Sequence, residues 1–527
     1  MPEQPTARTA EGVVEGRWRR GHAVFRGIPY AQPPVGPLRF AAPAPPRRWD
    51  GTRQAAEFGP AAPQSGPVQA DPQEATGWLT LNVSTPDPGA AGLPVLVWIH
   101  GGAYIAGTSS DPTYDPAALT AAGLVVVSIN YRLGAEGFVL LDDAPANRGF
   151  LDQIAALHWV RRNIASFGGD PDQVTVAGQS AGAGSIAALL TMKAVRGLFQ
   201  RAITHSVPGW HCTPALAERV AATLAERLGT APTAAALRGV APRRLAQEVT
   251  ALSADLAAYQ ASWGRFCQAG IAVCPVVDGE VLSETPWSAL TGGRASGTRL
   301  LVGHTRDEFR LFSVMTGRLG RFTDQDARTA LDLFAPAPDG AHAYRAAHPQ
   351  ATAEELVETV YSDALFRIPS LHLAQANAAA GGTSYLFELR LASPALAGTL
   401  GACHSLDVPL AFGTLDSPTG KELLGDPPAP EAIAVSRELQ RAWVRFATTG
   451  DPGWAAYRPD QQLTRVLDAE PMTVPYPEQA SHRIWEGRSP VPFEASPGIE
   501  PVAPDRVAQA YVRSVEGGQT GQVHPSL

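Results

Sequence analysis

The sequence predicts an α/β fold with a large, mostly parallel central sheet, helices on both faces and inserted helical, cap-like regions. The runs LPVLVWI (93–99) and GLVVVSI (123–129) are rich in Val and Ile, which is typical of strands buried on both faces of a parallel sheet. Helical patterns alternate with such runs through most of the chain, as an α/β fold requires. The 527 residues are 45% apolar and 17% charged, which indicates a globular protein with a large core.

The next elements continue this alternation. The segment GFLDQIAALHWVRRNIASF (149–167) has apolar residues at a spacing of three and is predicted to be a helix that ends at Gly168. A third apolar run, at 300–302, is predicted to be a strand and leads directly into GHTRDE. Near the C-terminus, SRELQRAWVRFA (436–447) has a helical pattern. The same kind of unit therefore recurs along the chain, which favours one large domain over several small ones.

We expect this single domain to cover residues 1–485. Two regions, at about 210–265 and 309–400, are predicted to be helical, cap-like insertions; the first is rich in Ala, Leu, Arg and Glu. Residues 486–527 are rich in Pro and are predicted to be an extension that wraps the surface or is partly disordered.

Charge and composition exclude several classes of protein. The net charge is -8 and no basic stripe is present, so we expect no nucleic-acid partner. No run approaches the roughly 18 apolar residues of a membrane helix, so we expect no membrane partner. The start MPEQPTARTAEGVVEG lacks the basic and apolar regions of a secretory signal, which predicts a cytoplasmic protein. Oligomeric state is not encoded in any motif, and a monomer is favoured.

The four cysteines are too few for a disulfide framework in a chain of this length. Cys267 and Cys274 are close enough in sequence to pair, but buried, reduced thiols are the favoured interpretation for a cytoplasmic protein.

One stretch, VTVAGQSAGAGSI (174–186), places a single hydroxyl among glycines, between a predicted strand (174–177) and a predicted helix (about 181–192). Gly178-Gln-Ser180-Ala-Gly182 fits G-x-S-x-G, in which the serine lies on a strained strand-to-helix turn and the glycines allow close packing. The start of a helix also supplies free N–H groups and positive potential. The pattern therefore indicates Ser180 as a nucleophile.

The glycines have three other interpretations: a dinucleotide-binding fingerprint, a P-loop and a turn without chemistry. GAGSIA (182–187) loosely matches G-x-G-x-x-G/A, but four residues separate it from the strand, and RAITHSV (201–207), about 20 residues later, lacks the acid that would bind a ribose. No G-x-x-x-x-G-K-[ST] occurs, which excludes a P-loop. A glycine-lined turn without chemistry stays possible on this motif alone.

A second motif makes that bare turn less plausible. HGGAY (100–104) follows the predicted strand at 93–99, which is where a loop of backbone N–H groups forms an oxyanion hole together with the N–H that follows the nucleophile.

A base and an acid are then expected in the chain order Ser, Asp or Glu, His. The histidines downstream of the candidate carboxylates are His342, His348, His372, His404, His482 and His524. His404, in GACHSLDVPLAFG, follows a glycine-containing break and is placed to project from a loop. Asp307 and Glu308 both follow the strand at 300–302, and their spacing does not choose between them.

The chain up to about residue 485 resembles the type B carboxylesterases of the α/β-hydrolase superfamily, which include bacterial para-nitrobenzyl esterases and cholinesterases. The matching blocks are FRGIPYAQPPVGPLRF (25–40), LNV (81–83), PVLVWIHGGAY (94–104), INYRLGAEGF (129–138), GFLDQIAALHWVRRNIASFGGDPDQVTVAGQSAG (149–182), GHTRDE (303–308) and HSLDVPLAFG (404–413).

This resemblance implies an α/β-hydrolase fold with Ser180 as the nucleophile, Glu308 as the acid and His404 as the base. It assigns the oxyanion hole to the N–H groups of three residues, Gly102, Ala103 and Ala181. It also implies that Ser206 supports the acid.

The chain departs from the family pattern at several positions. Gln179 replaces the Glu that usually precedes the nucleophile. The two cysteines of a disulfide found in many relatives are Ala62 and Trp78 here, which agrees with a reducing compartment. The usual acidic partner of Arg39 falls at Thr76, which puts that ion pair in doubt.

The expected activity is hydrolysis of a small-molecule carboxylic ester through an acyl-enzyme, which requires neither metal nor cofactor. Two alternatives stay open. One is a non-catalytic adhesion or binding relative with the same fold, and the other is an enzyme that prefers amides, carbamates, thioesters or polyesters.

Overall fold

The computed structural model describes residues 3–66, 77–294 and 297–496. The strands are β1 (Thr6–Arg8), β2 (Val13–Glu15), β3 (Arg17–Arg19), β4 (His22–Pro29), β5 (Thr52–Gln54), β6 (Thr80–Thr85), β7 (Leu93–Ile99), β8 (Val125–Ile129), β9 (Gly169–Gln179), β10 (Arg201–His205), β11 (Arg299–Thr305), β12 (Ser384–Leu389), β13 (Leu463–Leu467) and β14 (Met472–Pro475).

The α-helices are α1 (Ala117–Ala121), α2 (Gly134–Phe138), α3 (Arg148–Asn163), α4 (Ala181–Leu189), α5 (Pro214–Arg227), α6 (Ala234–Leu237), α7 (Pro242–Ala254), α8 (Gln260–Trp263), α9 (Pro286–Thr291), α10 (Arg310–Met315), α11 (Asp324–Phe334), α12 (Gly340–Ala347), α13 (Ala353–Ser362), α14 (Ile368–Ala379), α15 (Asp407–Phe412), α16 (Pro418–Leu424), α17 (Pro430–Thr449) and α18 (Gln479–Ile484). Within the described residues, no helix is both long enough and apolar enough to cross a bilayer.

A single large sheet organises the molecule. Within the described ranges it has 11 strands in the order β14-β13-β12-β11-β10-β9-β7-β8-β6-β4-β3. The strands from β13 to β8 pair in parallel. At the edges the pairing is antiparallel: β14 pairs in this way with β13, and so do β6 with β8, β4 with β6 and β3 with β4. A small separate sheet contains β1, β2 and β5. The predicted α/β fold with a large, mostly parallel sheet is confirmed.

Strand β7 shows why its sequence is apolar throughout. Val95, Val97 and Ile99 belong to one hydrophobic cluster, whereas Leu96 and Trp98 belong to the cluster on the opposite face. Because successive side chains of a strand point to opposite faces, helices must cover both. The first cluster contains residues of α3 and α4, and the second contains residues of α15 and α17.

The predicted elements around the serine motif form with shifted ends. The helix predicted at 149–167 is α3 followed by a short 3-10 turn, Ile164–Phe167, and it ends at Gly168 with φ of 83°. The strand predicted at 174–177 is the longer β9, because it pairs with β7 on one side and β10 on the other. The following helix is shorter than predicted, since α4 ends at Leu189.

The expected cap-like regions contain most of the remaining helices. Residues 210–265 carry α5 to α8, and residues 309–383 carry α10 to α14. The range 309–400 is nevertheless too wide for an insertion, because β12 lies in it and pairs with β11 and β13 inside the central sheet. The division into one domain of 1–485 and an extension stays a prediction.

The described start of the extension packs on the base of the first cap-like region. Phe493 N donates to His211 O (2.7 Å), and Thr213 N donates to Phe493 O (2.9 Å). The Phe493 side chain is buried. Residues 497–527, which include most of the predicted extension, lie outside the described residues.

The prediction of four reduced thiols is wrong for two cysteines. Cys212 and Cys274 form a disulfide with a Cα–Cα distance of 6.4 Å, so Cys274 does not pair with Cys267. The chain brings them together because Cys212 N donates to Pro275 O (2.8 Å). Cys267 and Cys403 are free and buried, and burial raises the pKa of both thiols to about 12. The cytoplasmic location stays a prediction, which these cysteines no longer support.

Arg39 is paired, although the position of its usual acidic partner, Thr76, lies outside the described residues. Its Nε and Nη2 donate to Glu136 Oε1 (2.8 and 2.6 Å). Its Nη1 donates to the carbonyl oxygens of Arg238 (3.1 Å) and Val240 (2.5 Å). The buried guanidinium therefore joins the N-terminal part of the chain to the first cap-like region.

Candidate active site

The turn between β9 and α4 holds Ser180 in a strained conformation. Its φ of 55° and ψ of -125° lie outside the regions that ordinary L-residues adopt. Two backbone hydrogen bonds hold the turn: Ser180 N donates to His205 O and Gly184 N donates to Ser180 O, both at 2.9 Å. The side chain is therefore presented at the C-terminal edge of the parallel strands.

The two glycines that flank the serine are required by packing. A Cβ added to Gly182 would lie 2.0 Å from Ile99 O, and one added to Gly178 would lie 2.7 Å from the carbonyl carbon of Gly182. No side chain fits at either position. The close packing that the glycine pattern predicts is thus present, and it places the first turn of α4 against the end of β7.

The loop after β7 passes over the serine. A Cβ added to Gly101 would lie 3.3 Å from Ser180 Cβ, and the next two residues have positive φ, 109° at Gly102 and 53° at Ala103. Within the described part of the chain, the N–H groups of Gly102, Ala103 and Ala181 donate to no protein acceptor. Three unpaired N–H groups beside a hydroxyl can stabilise an oxyanion that forms on its substrate.

The structure separates the two adjacent carboxylates. Glu308 Oε2 lies 2.5 Å from His404 Nδ1, and Glu308 Oε1 accepts a hydrogen bond from Thr305 N (2.9 Å). Asp307 instead accepts from Ala402 N (2.8 Å) and Arg306 Nη2 (2.9 Å). Glu308 is fully buried, so both of its oxygens are held in place.

Of the other candidate histidines, none that the structure describes hydrogen bonds to Glu308. His372 is buried in α14, and burial lowers its pKa to about 4. His482 Nε2 lies 3.2 Å from Gln375 Nε2. His342 and His348 lie on and directly after α12, and His524 lies outside the described residues.

The core contains a second buried histidine–carboxylate pair, which no sequence pattern indicated. His205 Nδ1 lies 2.7 Å from Asp407 Oδ2, and Trp443 Nε1 donates to His205 Nε2 (3.1 Å). Both ring nitrogens are therefore used inside the core. The pair supports the backbone beneath Ser180, because His205 O is the acceptor of Ser180 N.

Ser206 does not make the contact that the resemblance implies. Its side chain is fully buried, and its Oγ has no hydrogen-bond partner among the residues that the structure describes. The Glu308 carboxylate accepts from Thr305 N instead.

Gln179 contacts the same histidine from the other side. Its Nε2 lies 3.0 Å from both His404 Nε2 and Ser405 Oγ. Because the Glu308 carboxylate only accepts, His404 Nδ1 carries the proton and Nε2 accepts from the Gln179 amide. Within the described residues, Ser180 Oγ makes no hydrogen bond to Nε2. The departure from the family's Glu at this position was the sequence signal for this contact.

We expect Gln179→Glu to move the acidic limb of the pH profile of kcat/KM to higher pH by about one unit. A carboxylate beside His404 stabilises the imidazolium relative to the neutral ring, whereas a general base must be neutral. As the pH is lowered, the variant therefore loses activity at a higher pH than the wild type does. Ester hydrolysis measured from pH 5 to 9 checks this.

Gln179→Met is the matched control for this shift, because it removes the amide without adding a charge. Its acidic limb should stay where it is in the wild type. A limb that moves to lower pH in Gln179→Glu, or moves equally in both variants, would contradict the assignment of His404 as the base.

Aromatic rings form one wall beside His404. The ring centroid of His404 lies 4.4 Å from that of Phe366 and 5.2 Å from that of Phe312. Phe309 stacks on Phe312 and on Tyr361, and Phe309 and Phe312 are only partly buried. An apolar group of a substrate therefore has a surface to contact next to His404.

The chain is similar to known proteins over most of its length. The model of a family described as "Carboxylesterase family" matches residues 3–474. A para-nitrobenzyl esterase from Bacillus subtilis is 36% identical over 480 residues, which are 88% of this chain and 94% of that protein. A phenmedipham hydrolase from Pseudarthrobacter oxydans is 34% identical over 490 residues, 89% of this chain and 96% of that protein.

Solved structures give the same result. A carboxylesterase from Geobacillus stearothermophilus superposes with a TM-score of 0.80 at 33% identity, and the match covers 91% of this chain and 100% of that chain. A structure titled "PNB esterase" superposes with a TM-score of 0.76 at 33% identity, covering 92% of this chain and 100% of that chain.

Proposed function

The chain belongs to the carboxylesterase family and is a carboxylic ester hydrolase, and from that premise we propose that it acts through an acyl-enzyme on Ser180, with His404 as general base and Glu308 as the acid. The observation that carries this proposal is the 2.5 Å contact between His404 Nδ1 and Glu308 Oε2. The other ring nitrogen, His404 Nε2, contacts Gln179, the residue directly before the strained Ser180.

Acylation begins at His404 Nε2. This nitrogen takes the proton of Ser180 as the hydroxyl oxygen attacks the ester carbonyl carbon. The hydrogen bond from the Gln179 amide to His404 Nε2 must break first, since the two nitrogens lie 3.0 Å apart. Glu308 keeps the proton of the neutral ring on Nδ1 and stabilises the imidazolium that forms.

The negative charge that develops on the carbonyl oxygen is met by the N–H groups of Gly102, Ala103 and Ala181. Each donor of this kind contributes about 3 kcal/mol to the stabilisation of the transition state. Gly102 and Ala103 are already held with positive φ, so the donors are oriented before the substrate arrives.

The tetrahedral intermediate then collapses. The C–O bond to the alcohol breaks as His404 returns its proton to the leaving oxygen, and the acyl group stays on Ser180. Water, deprotonated by the same nitrogen, attacks the acyl carbon. The bond to Ser180 Oγ then breaks as His404 returns the proton to that oxygen, and the carboxylic acid leaves and ionises to the carboxylate. In the steps that make and break these bonds every proton passes through His404 Nε2.

The aromatic wall of Phe309, Phe312 and Phe366 favours esters with an apolar group next to the carbonyl. Preference for amides, carbamates, thioesters or polyesters is the alternative that a panel of substrates with one common acyl group would decide. We expect a short-chain nitrophenyl ester to be hydrolysed fastest, because its leaving group is the best.

Labelling with an organophosphonate tests the acyl-enzyme proposal. We expect one adduct per chain, located by mass spectrometry in the peptide that contains Ser180, and a loss of ester hydrolysis in proportion to the label. Protection by excess substrate is the control. Complete inactivation with the adduct on another residue would exclude Ser180 as the nucleophile.

A further inference from the structure

A cavity lies apart from the candidate active site. It has a volume of about 270 Å³ and lies between strands β4, β6 and β8, near the antiparallel edge of the sheet, and the segment 109–116. Ser180, His404, Glu308 and the loop 100–104 do not line it. Its size is close to that of sites for small ligands in proteins.

The inner part of this cavity is aromatic. Trp98 and Phe412 are almost fully buried, and the centroid of Trp98 lies 4.9 Å from that of Phe412 and 5.2 Å from that of Tyr114. The sheet contributes small polar groups: Asn82 Nδ2 donates to Ser128 Oγ at 3.0 Å. A ring or short alkyl chain would therefore contact the partly exposed ring of Tyr114, with hydroxyl groups along one side.

The outer part carries an arginine that has no direct ion-pair partner among the described residues. The guanidinium of Arg26 makes no hydrogen bond or ion pair with any residue that the structure describes, and it lies 4.1 Å from the ring centroid of Phe58. It is partly buried. Burial lowers its pKa and the positive charge of Arg19 lowers it further, while the negative charges of Asp115 and Glu57 raise it. A partly buried cation beside a second cation is an arrangement that an anion stabilises.

The acidic residues around the cavity are engaged elsewhere. Asp115 pairs with Arg20 at 3.6 Å, and its Oδ1 accepts from Ala117 N (3.0 Å). Asp111 Oδ1 accepts from Thr113 N (2.8 Å). Both aspartates therefore stabilise the segment 109–116, and neither lies within ion-pair distance of Arg26.

We propose that this cavity binds a small apolar carboxylate, with the carboxylate on Arg26 and the ring or chain against Tyr114. This is the chemical class of the acid that ester hydrolysis releases. The cavity is separate from Ser180, so the inference does not depend on which residue is the nucleophile.

Binding of 4-fluorobenzoate, followed by its fluorine NMR signal, tests this proposal on the full chain after organophosphonate labelling has blocked the active site. We expect saturable binding with a dissociation constant of about 1 mM or below, as for a small fragment. Arg26→Gln should weaken it at least tenfold. Arg161→Gln, which removes an exposed arginine that does not line the cavity, should leave it unchanged.

A second comparison needs no variant. On the wild-type chain, 4-fluorobenzyl alcohol has the same ring without the charge and should bind at least tenfold more weakly than 4-fluorobenzoate. The proposal is overturned by equal binding of the two compounds, by an unchanged affinity in Arg26→Gln, or by no saturable binding up to 20-fold above the expected constant. If mass spectrometry finds no label on Ser180, the acyl-enzyme proposal fails. The comparison of affinities between the wild type and Arg26→Gln still decides whether the cavity binds a carboxylate.

Discussion

Ser180→Ala is expected to lower kcat for ester hydrolysis by about 10⁵-fold or more, because removing the nucleophile of such a site abolishes the covalent route. A small residual rate over water should persist, since the N–H groups of Gly102, Ala103 and Ala181 are backbone atoms and remain in place. Initial rates with a nitrophenyl ester, measured at enzyme concentrations up to 100 μM, give the size of the loss.

Ser180→Gly is the matched variant for this experiment. It should lose the same activity but gain about 1 kcal/mol in the free energy of unfolding, because glycine adopts φ of 55° and ψ of -125° without the cost that a Cβ imposes. Thermal unfolding separates the two effects. A Ser180→Ala protein that is folded and retains more than about 1% of kcat would show that another residue attacks the ester.

Glu308→Gln is expected to lower kcat/KM by about 10⁴-fold, as for an acid that fixes the tautomer of its histidine. The direction follows from the hydrogen bonds. Thr305 N must donate to an oxygen, so the glutamine carbonyl would face Thr305 and its NH₂ would face His404 Nδ1. That ring nitrogen must then accept, which moves the ring proton to Nε2 and removes the base.

Asp307→Asn is the control, because it changes the adjacent carboxylate in the same way. It should keep kcat/KM within about threefold while losing some stability through its contacts with Arg306 and Ala402. Comparable losses in both variants would mean that the carboxylates act through local folding and not through the histidine.

The sequence carried enough information to predict the strained turn at Ser180 and the glycine loop at 100–104, because both follow short apolar strands and carry glycines at positions where packing leaves no room. The spacing of residues did not separate Asp307 from Glu308, and only the family resemblance favoured Glu308. That choice depends on which backbone N–H each carboxylate meets, Thr305 N or Ala402 N, and the second lies on a loop distant in sequence.

The contacts missed by sequence analysis are also long-range. Gln179 and His404 are 225 residues apart, and only the closure of the β9 turn against the loop before α15 brings them together. The arginine–glutamate pair of Arg39 and Glu136 and the pairing of Cys212 with Cys274 depend on how the cap-like region docks. Local patterns of hydrophobicity contain no information on such docking.

The cross-link between Cys212 and Cys274 bears on how preparations of this enzyme are compared. Closing a loop with a sequence separation of 62 residues stabilises a chain by about 4 kcal/mol in the chain-entropy description. A preparation in which these two cysteines are oxidised and one in which they are reduced are therefore different covalent molecules. The thiol content of each batch belongs beside its kinetic constants, and the redox chemistry of the expression host decides which molecule is obtained first.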